Sequence, residues 1–317
     1  MTEQERNQWL ENRNKGIGGS DLAALLGISP YKSTYELWLE KTGQIKPKDI
    51  SDKLPVKVGT ALEPLVIKEF QEQTGLIVEK SGEIIQHPEH SFMTGTLDAT
   101  GTDPQGKKFI LECKTTNAFN TKEWEDDEIP LHYEFQVLHY LTISNYDYGY
   151  IACLIGNSKF IYKKIEIDET QKHNIILYCK KFWNMVETKT PPPVDGSKSC
   201  TELLKEMYPN AETNSIIHMP DPNIDKKFEE LNNLERELKD KKEQEKEIQN
   251  EIDKIKNEFR DILKENETLR TDNHECSWKN QTASRLDQTE LKNQMPEIHS
   301  KFQKISQTRV LKTKKIA

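Results

Sequence analysis

The stretch MTGTLDATGTDPQGKKFILECKTT, residues 93–116, decides the reading of this chain. It reads as strand, turn, strand. The first strand ends at Asp98, and GTDPQG is a turn made of residues that reverse a backbone. The second strand, KKFILECKTT, sets Phe109, Ile110 and Leu111 before Glu112, Cys113 and Lys114. Side chains alternate along a strand, so Glu112 and Lys114 share one face and Cys113 takes the other. An antiparallel hairpin brings Asp98 alongside Glu112. Two carboxylates and an ammonium then share one edge of a sheet.

That grouping has a chemical use. Carboxylate oxygens are hard ligands suited to Mg²⁺, which keeps several waters and takes few protein carboxylates; Mn²⁺ is expected to substitute. Such a cation activates water and neutralises charge on a scissile phosphate. Lys114 would orient or deprotonate the attacking water, or stabilise the transition state. The main-chain carbonyl of Cys113 is a further candidate ligand. The plain alternative is a salt bridge at a strand end, since D-x(n)-E-x-K has many chance matches.

Two neighbouring segments strengthen the chemical reading. Glu63 lies in VGTALEPLVIKEFQEQTG, where Leu62, Leu65, Val66 and Phe70 predict a helix over 60–74 buried on one face. Glu63 at its N-terminal end is either a third carboxylate facing the hairpin or an acid that complements the helix dipole. In LHYEFQVLHYLTIS, Gln136 and Tyr140 fall on one helical face. Gln136 would hold a water or a phosphate oxygen, or be a satisfied amide. Upstream, RNKGIGGSDLAALLGISPYKS (13–33) places Gly16, Gly18 and Gly19 before Ser20 at an expected N-cap, with Asp21 opening the helix. Arg13 and Ser20 suit a terminal phosphate at such a start. No Lys-Ser/Thr follows the glycines, which argues against a nucleotide hydrolase of the P-loop kind.

Working outward, helices are expected at 2–12, 20–26, 33–41, 60–74, 130–144 and 168–188. Strands are expected at 76–79, 82–86, 92–99, 107–114, 147–154 and 159–166. Hairpins among helices give a mixed α/β or α+β sheet. All 14 glycines lie at or before Gly196, so the packed domain is placed at 1–210. Residues 224–268 have no Gly or Pro, and a stripe from Ile224 to Ile262 in steps of three and four marks a coiled-coil-like helix. The stripe fails at KDKKEQEKE (239–247), leaving either one solvated helix or a hairpin. Residues 269–317 read as strand, helix, strand. From 301 onward there are six Lys/Arg and no acid, a solubilising tail first and a phosphate-facing arm second.

The 317 residues allow about two domains. No apolar run is long enough for a membrane helix, and the N-terminus lacks a signal-peptide pattern. Five scattered cysteines fit neither a disulfide framework nor a metal spacing, so a reducing, cytoplasmic location is expected. The net charge of −8 confines any grip on phosphate to a local lining, with Arg13, Lys15, Lys32 and the tail as candidates.

The order GIGGSDLAALLGISPYKS, GTALEP, TGTLDAT, LECKTT, HYEFQVLHYL resembles the YqaJ-like viral recombinase family, the phage lambda exonuclease type within the PD-(D/E)xK nuclease superfamily. The resemblance covers about residues 9–190, and TPPPVDG and the C-terminal stretches are also similar. It implies a restriction-endonuclease-like core and a Mg²⁺-dependent 5′-to-3′ exonuclease on linear double-stranded DNA. The product would be a 3′ overhang for a single-strand annealing protein in phage or prophage recombination. Asp98 and Glu112 would be metal ligands, Lys114 the catalytic lysine, Glu63 the upstream acid and Gln136 the glutamine behind the site. Arg13 and Ser20 would hold the 5′-phosphate. A homo-oligomer, as a ring-shaped trimer, is implied too. Many relatives carry a second glutamine two residues after the first, where this chain has Leu138. A restriction-like or structure-specific endonuclease would use the same core. A non-catalytic DNA-binding assembly protein would have little reason to keep Asp98, Glu112 and Lys114 together.

Overall fold

The computed structural model describes residues 14–125, 128–282 and 287–302. The expected helix 2–12, Arg13 and the closing basic strand lie outside them. The chain divides into two compact units, residues 1–207 and 208–317.

In the first unit, α1 (Gly19–Leu25), α2 (Thr34–Lys41) and α3 (Leu54–Thr74) precede β1 (Val78–Lys80), β2 (Ile84–Gln86), β3 (Thr94–Thr96), β4 (Ala99–Thr102) and β5 (Lys108–Thr116). A 3₁₀ turn at Ala118–Trp124 leads to α4 (Leu131–Ile143), β6 (Tyr148–Ile155), β7 (Lys159–Ile165), α5 (Glu169–Glu187) and α6 (Lys198–Met207). Five strands form one sheet in the order β1-β4-β5-β6-β7. Only β5 and β6 run parallel. A parallel pair needs a long crossover, and α4 supplies it.

The central strand explains itself. Phe109, Ile110 and Leu111 are buried in succession because both faces of β5 are covered. Ile110 joins Leu22 of α1 and Val137 and Leu141 of α4 in one core. Phe109 and Leu111 join Val66, Ile67 and Phe70 of α3 in another. The mixed sheet therefore lies between helical layers.

The structure differs from the sequence reading in three places here. Residues 92–99 do not make one strand. β3 pairs with β2 in a separate two-stranded sheet, while β4 joins the main one. Asp98 stands at the junction. The helix expected from residue 60 begins at Leu54, with Pro55 in its first turn and Pro64 inside it. Pro is tolerated in a first turn, where no donor is needed. Pro55 and Gly59 masked its first turns because both weaken an α-helical pattern. The 3₁₀ turn was not expected at all.

The second unit has α7 (Pro222–Leu263), the hairpin β8 (Thr268–Arg270) and β9 (Glu275–Ser277), then α8 (Gln288–Gln294) and α9 (Pro296–Lys301). The choice left open at 239–247 resolves to one continuous 42-residue helix. Lys, Glu and Gln are good helix formers, and nothing in that stretch halts the hydrogen-bond ladder. Asp221 caps the start by accepting from the Asn223 N–H at 2.9 Å. Among the described residues, no helix is long and apolar enough to cross a membrane.

Candidate active site

β4 pairs with β5 only as far as Ala99 opposite Leu111. Beyond that point the β4 side of β5 is open, and Asp98 fills the opening. Its Oδ2 accepts from the Cys113 N–H at 2.9 Å, replacing the missing strand. Continuing the register sets Asp98 opposite Glu112, as the hairpin predicts. The expectation that Asp98 ends a strand was wrong: it precedes β4. An extended residue turns its N–H and C=O to the same side, so the Cys113 carbonyl also points toward Asp98.

Glu112 is 4% exposed. Lys114 Nζ donates to its Oε1 at 2.6 Å and to Gln136 Oε1 at 3.1 Å. Gln136 Nε2 donates to the same Glu112 oxygen at 2.7 Å and to the Tyr140 hydroxyl at 2.9 Å. The amide thus has its oxygen on a cation and its nitrogen on a carboxylate, which fixes its orientation. Tyr133 places its ring 4.8 Å from Lys114 Nζ. Tyr133, Gln136 and Tyr140 form one stripe of α4 at i, i+3 and i+7. Tyr133 was missed from sequence, although that spacing was a usable signal.

Burial raises the Glu112 carboxyl to about 8, with Asp98 adding to the effect. Burial likewise raises Asp98, against the pull of Lys114. Each of the two carboxyls bears on the other's protonation, so they stand close together. Burial alone would lower Lys114, but Glu112 and Asp98 outweigh it and hold the ammonium above the usual lysine range. Burial, then Asp98, pushes the Cys113 thiol far up. Its sulfur stays neutral, which leaves the carbonyl as the better donor to a hard cation.

The donor set fits a magnesium-type ion. Two buried carboxylates lean toward protonation because burial penalises their charge more than one ammonium offsets it. Among the described residues, no three His, Cys, Asp or Glu side chains form a ready metal cage. Mg²⁺ needs no such cage, since it binds through one or two carboxylates and keeps its waters.

Glu63 sits mid-helix in α3, not at an N-terminus, so the dipole explanation for it falls. It raises Asp98 and Cys113 electrostatically, which places it near the site. Its Oε1 pairs with Lys80 Nζ at 2.8 Å. Lys80, on β1, was another residue missed.

Ser20 is not the N-cap. Gly18 is, and its N–H donates to the Asp21 carboxylate at 3.0 Å. Asp21 also pairs with Lys41 at 2.7 Å, with both side chains buried. Ser20 is exposed in the first turn. With Lys15, Gly18, Thr94, Gln136 and Tyr140 it lines a cavity of about 400 Å³. Gln136 and Tyr140 therefore belong to both the cavity and the charged cluster. The loop glycines serve close packing. A Cβ on Gly19 would lie 2.5 Å from the Tyr140 ring, and one on Gly95 would lie 2.7 Å from it. Lys32 is committed to Glu40 and is a poor candidate for phosphate. Leu138, two residues after Gln136, is buried in the core.

Residues 8–147 match the YqaJ-like viral recombinase domain. The protein YqaJ of Bacillus subtilis (strain 168) is 42% identical over 221 residues, covering 69% of this chain and 68% of that one. Among solved structures, the alkaline exonuclease LHK-Exo from Laribacter hongkongensis aligns over 65% of this chain and 100% of its own, at TM-score 0.48 and 16% identity. A phage-related exonuclease from Haemophilus somnus 129PT aligns over 61% and 96%, at TM-score 0.41 and 16% identity. On the sequence match to its Bacillus relative, this chain belongs to the YqaJ-like viral recombinase family.

Proposed function

We propose that this chain is a divalent-metal-dependent exonuclease. It enters linear double-stranded DNA at an end, degrades the strand with the 5′ terminus and leaves a 3′ single-stranded overhang. That overhang suits a single-strand annealing protein in phage-type recombination inside a bacterial host cell. The observation that carries the reading is the open edge of β5, where Asp98, Glu112, Lys114 and Gln136 meet around two buried carboxylates.

Asp98, Glu112 and the Cys113 carbonyl would hold Mg²⁺, or Mn²⁺ in its place, and the bound ion would supply water activation and charge neutralisation. Lys114 supplies a fixed positive charge and a donor at the reacting phosphate. Gln136 holds that ammonium and Glu112 in register, so the donor is oriented before substrate arrives. Glu63 adds negative charge behind Asp98, and Lys80 restrains it. The Ser20 hydroxyl and Lys15, across the adjoining cavity, would receive the terminal 5′-phosphate, with Arg13 as a further contact. Copies of the chain would assemble around the duplex.

The test is digestion of a linear duplex labelled at either the 5′ or the 3′ end, with Mg²⁺ or EDTA, beside a covalently closed circle. Early release of the 5′ label, only with Mg²⁺ and only from linear DNA, supports the proposal. Cutting of the circle turns the reading to an endonuclease. Intact substrate with folded protein overturns the assignment of a nuclease. Ser20→Ala should narrow the preference for 5′-phosphorylated over 5′-hydroxyl ends; an unchanged preference removes Ser20 from the anchor.

A further inference from the structure

Helix α7 carries a seven-residue repeat that nuclease chemistry does not use. Taking Leu231 as position a, every a and d position through Ile262 is Leu, Ile or Phe, except Lys241 at d and Glu245 at a. These apolar side chains face solvent: Leu234 is 56% exposed, Ile248 63% and Ile262 59%. The helix is about 63 Å long at the usual rise per residue. A strict seven-residue repeat over such a length gives a lone helix nothing, but it is the seam along which helices supercoil.

The flanking charges choose the partner. In a parallel coil of identical chains, each g residue faces the e residue five positions on in its neighbour. Glu237 then meets Lys242, Glu251 meets Lys256, and Gln244 meets Gln249. Glu230 opposite Glu235 is the single like-charged pair among these g-to-e contacts. In the seam, Lys241 and Glu245 each face their own counterpart in successive layers, and the lysine of one copy reaches past it to the glutamate of the next. In an antiparallel coil g faces g. Glu237 would meet Glu251 and Glu230 would meet Glu258, each pair occurring twice across the two-fold axis. Like charges so placed disfavour that orientation.

We propose that residues 231–262 of separate copies of this chain wind into a parallel coiled coil. The inference does not rest on the nuclease reading, because it uses none of the residues of the charged cluster.

The test uses the full chain with Cys276→Ser, to which Leu234→Cys is added and the product oxidised. In the parallel register residue 234 faces its own counterpart, so the main band should move to twice the chain mass, while the parent without Leu234→Cys stays single. Ile248→Cys should behave the same way, which guards against a local failure of one variant. Adding Lys242→Glu and Lys256→Glu should cut the cross-linked yield several-fold. Adding Glu237→Lys and Glu251→Lys to those should restore it. Circular dichroism confirms that the helix persists in each variant. No self-linking by either cysteine overturns the proposal. So does linking only when Leu234→Cys is combined with Ile252→Cys, the antiparallel pairing. Failure of the charge swap to rescue overturns the parallel register.

Discussion

The β5 edge and helix α7 are built from the same residue types and put them to opposite uses. On β5, Lys114 and Glu112 lie 2.6 Å apart with side chains 18% and 5% exposed. On α7, Glu and Lys alternate along a helix whose surface is open to water. An exposed ion pair contributes about 0–1 kcal/mol, because water screens it. Breaking a buried pair costs about 3–5 kcal/mol, because the remaining charge is stranded. Burial on β5 thus turns two carboxylates and a lysine into a site under electrostatic tension. Exposure on α7 leaves the charges to set solubility and the register of a neighbouring helix.

Substitutions should follow that contrast. Glu112→Gln is expected to lower cleavage by about 10³-fold or more, since it would take a carboxylate from the proposed metal site. The fold should persist, because the amide keeps the shape and its oxygen can still accept from Lys114 Nζ. Activity with near-wild-type circular dichroism checks this, and retained cleavage would place the chemistry elsewhere. Lys114→Ala should lower the rate by about 10²–10³-fold while Mn²⁺ titration shows the ion still bound. Loss of metal binding in that variant would make the lysine structural.

His139 sharpens the comparison as a buried group kept neutral. Burial lowers it from 6.5 to about 4, while its Nε2 lies 2.9 Å from the Thr94 carbonyl. Between these values the unfolded chain binds the extra proton and the folded chain does not. This stability is complete above pH 6.5 and is lost as pH falls toward 4. The loss should be on the order of 3 kcal/mol. Denaturant melts from pH 7 to 4 should show a shallower acid decline in His139→Gln; an equal decline would exclude His139 as its source.

Gly19→Ala drives a methyl into the Tyr140 ring and should cost about 1–3 kcal/mol in a melt of the full chain. An unchanged midpoint would mean that Tyr140 yields without resistance. The smallest effect is expected on α7. Glu243→Ala lies away from the proposed seam and should change stability by less than about 0.5 kcal/mol.

Much of the site was legible because short-range geometry carries it. Alternation along β5 predicts that Glu112 and Lys114 share a face, and helical spacing puts Gln136 with Tyr140. Glu63 was expected at a helix N-terminus but stands mid-helix, since Pro55 and Gly59 concealed the first turns. Lys80 escaped notice because its pairing with Glu63 depends on what stands opposite it, whereas Tyr133 could have been found from its spacing to Gln136 and Tyr140. The glycine loop suggested an anion site, whereas Gly19 is small to admit a ring from a helix more than a hundred residues away.

The sequence by itself determined that Glu112 and Lys114 share a face, the mixed α/β class, the family and the seven-residue repeat. Each is a local pattern of period two or period 3.5, or a string of matched motifs. Only the tertiary structure decided that residues 92–99 divide between two sheets, that Asp98 fills the gap where β4 stops, and that Gln136 binds both members of the buried ion pair. It also decided that 222–263 is one helix. Where a strand ends, and whether a charge is dry, depends on what packs against it, and that information lies in contacts between segments far apart in the chain.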